Sequence, residues 1–126
     1  MSPIRQEAYN RIKSFQFAFE GWWFVIRTQH NAWIHAVATI VVVALGFFFQ
    51  IELIEWGLLI ISITIVWSAE FMNTAIEAIV DMVSPEFHPL AKVAKDVAAA
   101  GVLIGAGGAV LIALIVFGPP IWEWLF

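Results

Sequence analysis

Long apolar runs dominate the pattern of hydrophobic and polar positions along this chain. Three of them, over about residues 33–50, 56–83 and 96–117, are long enough for a helix to cross a bilayer, whose hydrocarbon core takes roughly 17 to 25 residues. We expect Pro119 and Pro120 to end the third helix, because proline lacks the backbone N–H that a helix interior uses. The pattern therefore predicts three transmembrane helices.

The segment before the first span has a different pattern. Over about residues 4–27, apolar side chains recur every three or four positions, and Arg5, Lys13 and Glu20 fall between them. This is typical of an amphipathic helix on a membrane surface, although a helix packed on a partner subunit gives the same pattern. We thus predict an all-α membrane protein, a single membrane domain of residues 1–126, with an amphipathic N-terminal surface helix and three transmembrane helices.

The composition agrees with a membrane protein. Hydrophobic residues make up 62% of the 126 residues, whereas a soluble domain contains about half, and so short a chain buries too little surface to hide the excess. Charged residues make up 13% and give a net charge of −4, so we expect no nucleic-acid partner. The chain has no cysteine, which excludes disulfide scaffolds, thiolate chemistry and zinc sites built on cysteine.

The basic residues predict how the chain is oriented in the membrane. Four of the six precede the first span and two lie between the second and third spans: Arg5, Arg11, Lys13, Arg27, Lys92 and Lys95. The positive-inside rule then places the amino terminus and the 84–95 loop in the cytoplasm. We expect a multi-pass protein of the cell inner (plasma) membrane, with its carboxyl terminus outside.

Polar residues interrupt the second span, at Glu70, Asn73, Glu77 and Asp81. At about 100° per residue, Glu77 lies about 20° short of two full turns from Glu70, and Asp81 about 20° past three turns. The three carboxylates therefore share one narrow stripe, and Asn73 lies about 60° to its side by the same helical geometry.

The depth of this stripe suggests a site at one membrane face. If Trp56 marks the outer interface, Glu70 lies about 21 Å further along the helix, in the inner leaflet. An acid inside a membrane is costly and points to a function, and neighbouring carboxylates attract a cation, for which hard oxygen ligands favour Mg²⁺. The stripe predicts a catalytic or ion-handling site. An acidic ion or proton pathway without ATP use is the alternative, and an assembly scaffold is a third possibility.

The third span begins with Lys95 and Asp96, and a lysine at a helix amino terminus is well placed to bind phosphate. The polar segment 84–89 lies beside the acidic stripe. Small residues crowd this span and would allow close helix packing, namely Ala98, Ala99, Ala100, Gly101, Gly105, Gly107 and Gly108. Since three helices are too few to enclose a site, we expect an oligomer.

The run from Ala69 to Asp81, AEFMNTAIEAIVD, resembles the signature E-x-x-N-[ST]-A-I-E-x-x-V-D of prokaryotic diacylglycerol kinases and undecaprenol kinases. A second block over residues 94–100, AKDVAAA, is similar to another segment of this family, and the length and three-span layout also match. The resemblance implies a homotrimeric membrane enzyme that uses Mg²⁺ and transfers the γ-phosphate of ATP to a membrane lipid alcohol. Its active sites would form between subunits at the cytoplasmic interface.

The resemblance also implies roles for single residues. Glu70 matches the general base, Glu77 a metal ligand that also contacts ATP, and Asn73 and Asp81 supporting polar residues. Further positions match contacts to the nucleotide, namely Glu86, Phe87, His88, Lys95 and Asp96. Trp23 and Ala99, together with Glu70, match contacts to the lipid.

Two positions depart from the family pattern. Just before the first span, where the family commonly has a second metal-binding glutamate, this chain has Gln29. Its amide oxygen can still bind the metal, and we predict that Gln29 also contacts the nucleotide. A nucleotide-contacting arginine of the family aligns with Asn10, and we predict that Arg11 replaces it. Residues 47–50 resemble the undecaprenol kinase branch and residues 86–88 the diacylglycerol kinase branch, so both lipids stay open.

Overall fold

The computed structural model describes residues 2–126, which form four α-helices. They are α1 (Pro3–Thr28), α2 (His30–Phe49), α3 (Leu53–Val83) and α4 (Pro89–Leu125). Helices α2, α3 and α4 are long and apolar enough to cross a membrane. The predicted all-α class with three candidate spans is confirmed, and the chain is a multi-pass membrane protein.

The chain divides into two compact units, residues 1–30 and 31–126. The first unit contains α1, which begins at Pro3 after the N-cap Ser2, whose hydroxyl accepts a hydrogen bond from the Arg5 amide at 3.4 Å. Large apolar side chains of α1 remain exposed, as at Ile4 (81%) and Phe19 (73%). The helix therefore keeps an apolar face available to another surface.

The second unit is an antiparallel hairpin of α3 and α4 with α2 packed against it. Its core centres on Leu59 of α3 and on Val116 and Phe117 of α4, and α2 contributes Val42 and Phe49. These apolar side chains lie toward the end of the hairpin opposite the α3–α4 connection. The polar residues of α3 therefore lie outside this core.

Close packing through small residues is confirmed at one glycine of α4. A Cβ at Gly105 would lie 3.6 to 3.9 Å from atoms of Ile65, Val66 and Ala69 on α3, so α4 approaches α3 closely there. By contrast, a Cβ at Gly101, Gly107 or Gly108 would meet nothing within 4 Å. Within the described chain, α4 therefore uses one of these glycines for its close approach to α3, and the other three border open space.

A tight turn links α2 to α3. Gln50 adopts a positive φ of 51°, the amide of Ile51 donates to the Gly46 carbonyl at 3.2 Å, and the amide of Gln50 donates to Phe47 at 3.3 Å. These two bonds form a Schellman motif, which ends a helix in the left-handed conformation. A capping box between Glu52 and Glu55 then starts α3.

Helix α4 is longer than predicted at both ends. It continues through Pro119 and Pro120 to Leu125, so the expectation that these prolines end the helix is wrong. The φ of proline is compatible with a helix, and hydrogen bonding resumes beyond the pair, as from the Phe126 amide to the Trp122 carbonyl at 3.1 Å.

At its other end, α4 begins at Pro89 with His88 as the N-cap, whose Nδ1 accepts a hydrogen bond from the Leu90 amide at 3.2 Å. Proline is favoured in the first helical turn because its missing N–H would have no partner there. Lys95 and Asp96 therefore lie in the second turn of α4. The prediction that Lys95 stands at the helix amino terminus is wrong.

Candidate functional site

The polar stripe of α3 passes from a buried to an exposed environment. Glu70 is fully buried (0% exposed) and Asn73 nearly so (4%), Glu77 is half-buried and Asp81 is exposed. At 1.5 Å per residue, Glu70 lies about 26 Å and Glu77 about 36 Å from the start of α3 at Leu53, compared with a hydrocarbon core of about 30 Å. If α3 enters the hydrocarbon core near Leu53, the stripe therefore crosses from membrane depth into the interface.

Glu70 faces a histidine of α2. Its Oε2 lies 3.4 Å from Nε2 of His35, whose side chain is 11% exposed. Within residues 2–126, neither Glu70 oxygen nor His35 Nε2 has a hydrogen-bond partner. Sequence reasoning did not place His35 in the site. The only feature of the sequence that could have identified His35 is that a titratable side chain lies inside an apolar span. Its contact with Glu70 is seen only once α2 is packed on α3.

Two further residues hold the region around His35. The Thr39 hydroxyl donates to the His35 carbonyl at 2.7 Å and accepts a hydrogen bond from Nε1 of Trp67 at 3.2 Å. The Trp67 and His35 rings form an edge-to-face pair, with centroids 6.3 Å apart. Helices α2 and α3 are therefore joined by polar contacts where His35 meets Glu70.

The next pair along the stripe is Asn73 and Glu77. The Asn73 side-chain amide donates to Glu77 Oε1 at 3.2 Å, whereas its buried Oδ1 has no hydrogen-bond partner in the described chain. Residues 2–126 contain no group of three acidic, histidine or cysteine side chains that could hold a metal. Mg²⁺, however, is usually held by one or two carboxylates together with substrate phosphates and water. The Glu77 carboxylate and Asn73 Oδ1 therefore fit a partial Mg²⁺ site.

A polar pocket of about 410 Å³ lies beyond these pairs, between the ends of α3 and α4 and their connection. The pocket brings Asp81 together with the five residues that were predicted to contact the nucleotide and nothing else, namely Glu86, Phe87, His88, Lys95 and Asp96. Its polar and aromatic lining comprises Asp81, Ser84, Glu86, Phe87, His88, Lys92, Lys95 and Asp96. Lys92 was not predicted as a site residue. The feature of the sequence that could have identified it is its position one helical turn before Lys95, on the same side of the helix.

Both lysines of this pocket are paired with acids. Lys95 contacts Asp81 across the two helices, and Lys92 contacts Asp96 along α4. The Lys95 side chain is 38% exposed and that of Asp81 65%. Exposed ion pairs contribute about 0 to 1 kcal/mol, so both lysines can exchange these partners at little cost.

The remaining predicted residues are not among those that line the pocket. Arg11, Trp23 and Gln29 belong to the unit of residues 1–30, where Arg11 pairs with Glu7 at 2.9 Å and Gln29 caps the carboxyl end of α1. Ala99 lies exposed on α4. Within the second unit, the pocket therefore brings together the predicted residues from Asp81 to Asp96, and Glu70 gains His35 as a neighbour, whereas Ala99 lies outside the pocket.

Comparisons with known proteins identify the family of this chain. The family model for prokaryotic diacylglycerol kinase matches residues 16–117. The chain is 40% identical over 115 residues to an undecaprenol kinase of Bacillus subtilis strain 168, covering 91% of this chain and 94% of the relative.

Two diacylglycerol kinases are also similar. The one from Synechocystis sp. is 34% identical over 124 residues, covering 94% of this chain and 71% of the relative. The one from Escherichia coli K12 is 36% identical over 87 residues, covering 69% and 68%. The match to the family model includes the whole of α2 and α3 and most of α4. This chain belongs to the prokaryotic diacylglycerol kinase family and is a membrane lipid kinase.

Proposed function

We propose that this protein transfers the γ-phosphate of ATP to the hydroxyl of a membrane lipid alcohol, either diacylglycerol or undecaprenol. The observation that carries the proposal is the arrangement along α3, where a buried carboxylate at membrane depth is followed by a polar, lysine-containing pocket at the end of the helix. A lipid hydroxyl and a water-soluble nucleotide can each reach their own end of this stripe.

Glu70 acts as the general base in this proposal. It takes the proton of the lipid hydroxyl while the hydroxyl oxygen forms a bond to the γ-phosphorus and the bond from that phosphorus to the leaving ADP breaks. Phosphoryl transfer depends mainly on positioning and on stabilisation of the phosphoryl charge. Lys95 and Lys92 hold the nucleotide and stabilise charge on its phosphates when phosphate oxygens replace Asp81 and Asp96 as their partners.

Glu77 and Asn73 would hold the Mg²⁺ ion, with Gln29 as a further neutral oxygen ligand. The ion would neutralise charge on the ATP phosphates. Glu86, Phe87 and His88 line the pocket that receives the nucleotide, and Arg11 adds a cation from α1. Trp23, which is 62% exposed, and Ala99 contact the lipid.

We also propose a homotrimer in the inner (plasma) membrane, with the amino terminus and the site on the cytoplasmic side. Three features support this. The basic residues are concentrated in α1 and near the α3–α4 connection, the apolar side chains of α1 suit a membrane surface, and Gly101, Gly107 and Gly108 offer a face for close helix approach.

Transfer of labelled γ-phosphate from Mg-ATP to each lipid alcohol in mixed micelles tests the function. We expect Glu70→Gln to lower kcat by about 10²- to 10⁴-fold, the usual contribution of a general base. Glu123→Gln, the same change at an exposed acid near the end of α4, should leave kcat unchanged. The mass of each variant's oligomer is measured in parallel by light scattering.

Two results would contradict the proposal. Unchanged turnover in Glu70→Gln would remove Glu70 as the base, and absence of transfer to either lipid by the wild type would remove the kinase activity. The alternative, an ion or proton pathway, predicts pH-driven flux in liposomes without ATP.

A further inference from the structure

We propose that His35 is a positioning residue for Glu70, holding one carboxylate oxygen so that the other faces the lipid hydroxyl. This inference rests on the proposed function, because it assigns a purpose to His35 only if Glu70 is the base. It makes α2 a contributor to the reaction and not solely a membrane anchor.

The burial of Glu70 creates the need for such a partner. A carboxylate removed from water must be paired or hydrogen-bonded, and Glu70 is 0% exposed with both oxygens unbonded within residues 2–126. His35 is the one basic side chain in ion-pair contact with Glu70 in that range. The Thr74 hydroxyl nearby donates to the Glu70 carbonyl and so leaves the carboxylate unsatisfied.

The ion-pair contact of His35 is with one oxygen of the Glu70 carboxylate. His35 Nε2 lies 3.4 Å from Oε2, slightly beyond the usual hydrogen-bond range of about 2.7 to 3.2 Å. Catalytic hydrogen bonds are often long without substrate and tighten when it binds. An Nε2–H donated to Oε2 fixes the rotation of the carboxylate and leaves Oε1 to accept the proton.

His35 is itself held in place from both helices. Thr39 binds its backbone carbonyl at 2.7 Å, and Trp67 donates to Thr39 at 3.2 Å while its ring stands edge-to-face with the imidazole. A functional group is best positioned when packing and supporting hydrogen bonds restrict its movement. These contacts restrict the backbone and the ring plane of His35, as a positioning residue requires.

The test compares His35→Gln with His35→Leu, in the presence of Glu70 and in the Glu70→Gln background. The glutamine amide nitrogen can occupy the place of imidazole Nε2, whereas leucine has no donor. We expect His35→Leu to lower kcat by about 10- to 100-fold, as for a slightly misplaced reacting group, with KM for ATP unchanged. His35→Gln should recover most of this loss, and Ser62→Ala, which removes a buried hydroxyl elsewhere on α3, should keep full kcat.

The double variant separates positioning from a structural role. If His35 acts through Glu70, His35→Leu should cause no further loss of activity once Glu70→Gln is present, because residues that act as a unit are not additive. An equal loss in both backgrounds, or full activity of His35→Leu, overturns the inference. If His35→Leu does not fold, His35→Asn replaces it. The asparagine amide nitrogen takes the place of imidazole Nδ1 and not of Nε2. An activity of His35→Asn equal to that of His35→Gln therefore overturns the inference.

Failure of this inference can be distinguished from failure of the proposed function. A wild type that phosphorylates lipid, a Glu70→Gln variant that does not, and a fully active His35→Leu variant would remove only the role of His35. A wild type without any transfer would remove the kinase proposal itself.

Discussion

Three side-chain pairs follow one another along α3, and their different burial determines the chemistry open to each pair. The pair of His35 and Glu70 is buried, the pair of Asn73 and Glu77 joins a buried amide to a half-buried carboxylate, and the pair of Lys95 and Asp81 is exposed. A buried charge that loses its partner is expensive, whereas an exposed pair can exchange partners at a cost of about 1 kcal/mol or less. The buried pair therefore suits a base held in a fixed position, and the exposed pair suits reversible binding of a ligand from solution.

The exposed pair leads to a prediction in two parts. We expect Asp81→Asn to change the free energy of unfolding by less than about 1 kcal/mol. Lys95→Met should raise KM for ATP by roughly 10- to 100-fold, because a hydrogen bond to a charged group is worth about 1.5 to 3 kcal/mol. Chemical unfolding in detergent and ATP titrations measure the two effects.

Lys13→Met provides the matched control, because it removes an exposed lysine outside the pocket. A KM for ATP that rises equally in Lys13→Met and Lys95→Met would show a loss of general positive charge and would contradict a specific phosphate contact.

At this scale the sequence predicted contacts along one helix better than contacts between helices. The shared stripe of Glu70, Glu77 and Asp81 follows from the period of an α-helix alone. The meeting of His35 with Glu70 depends on how α2 packs on α3, which no spacing within either segment specifies.

At the scale of helices, Gly46 determines how α2 can meet α3. A Cβ at this position would lie 2.7 and 2.8 Å from ring atoms of Trp56 and 3.2 Å from Ile51. The Trp56 ring also packs on Phe47, with centroids 4.9 Å apart, so it has little room to move. The missing side chain is therefore a packing requirement.

We expect Gly46→Ala to destabilise the protein by about 1 to 3 kcal/mol, the usual cost of overpacking. Gly57→Ala is the matched control, since a Cβ there meets nothing within 4 Å, and alanine favours a helix over glycine by up to about 1 kcal/mol. Thermal unfolding followed by circular dichroism compares them. A Gly46→Ala variant as stable as Gly57→Ala would show that the Trp56 ring moves aside.

Helix ends were harder to predict than helix positions. Apolar run length located all three spans, but Pro119 and Pro120 lie inside α4, and the pair His88 and Pro89 starts α4 well before the apolar run begins. Hydropathy reports which residues tolerate lipid. It does not report that a helix continues beyond the apolar run, which is where α4 carries Lys92 and Lys95.

At the scale of the whole molecule, the proposed orientation has a direct test. Because the chain contains no cysteine, single-cysteine variants can be labelled without background. We expect a membrane-impermeant maleimide to label Gln50→Cys, in the α2–α3 turn, from outside intact cells. Phe87→Cys, whose parent side chain is 82% exposed, should be labelled only after the membrane is opened. The reverse labelling would invert the topology.

The length of α3 has a consequence for how the reaction would be measured. Its 31 residues extend over about 46 Å and so exceed a hydrocarbon core of about 30 Å. In the proposed reaction, the lipid reaches Glu70 by lateral diffusion in the plane of the bilayer, while the nucleotide arrives from solution. Saturation by the lipid should therefore follow its mole fraction in the membrane and not its bulk concentration, so that diluting the substrate with inert lipid slows the enzyme even when the total amounts are unchanged.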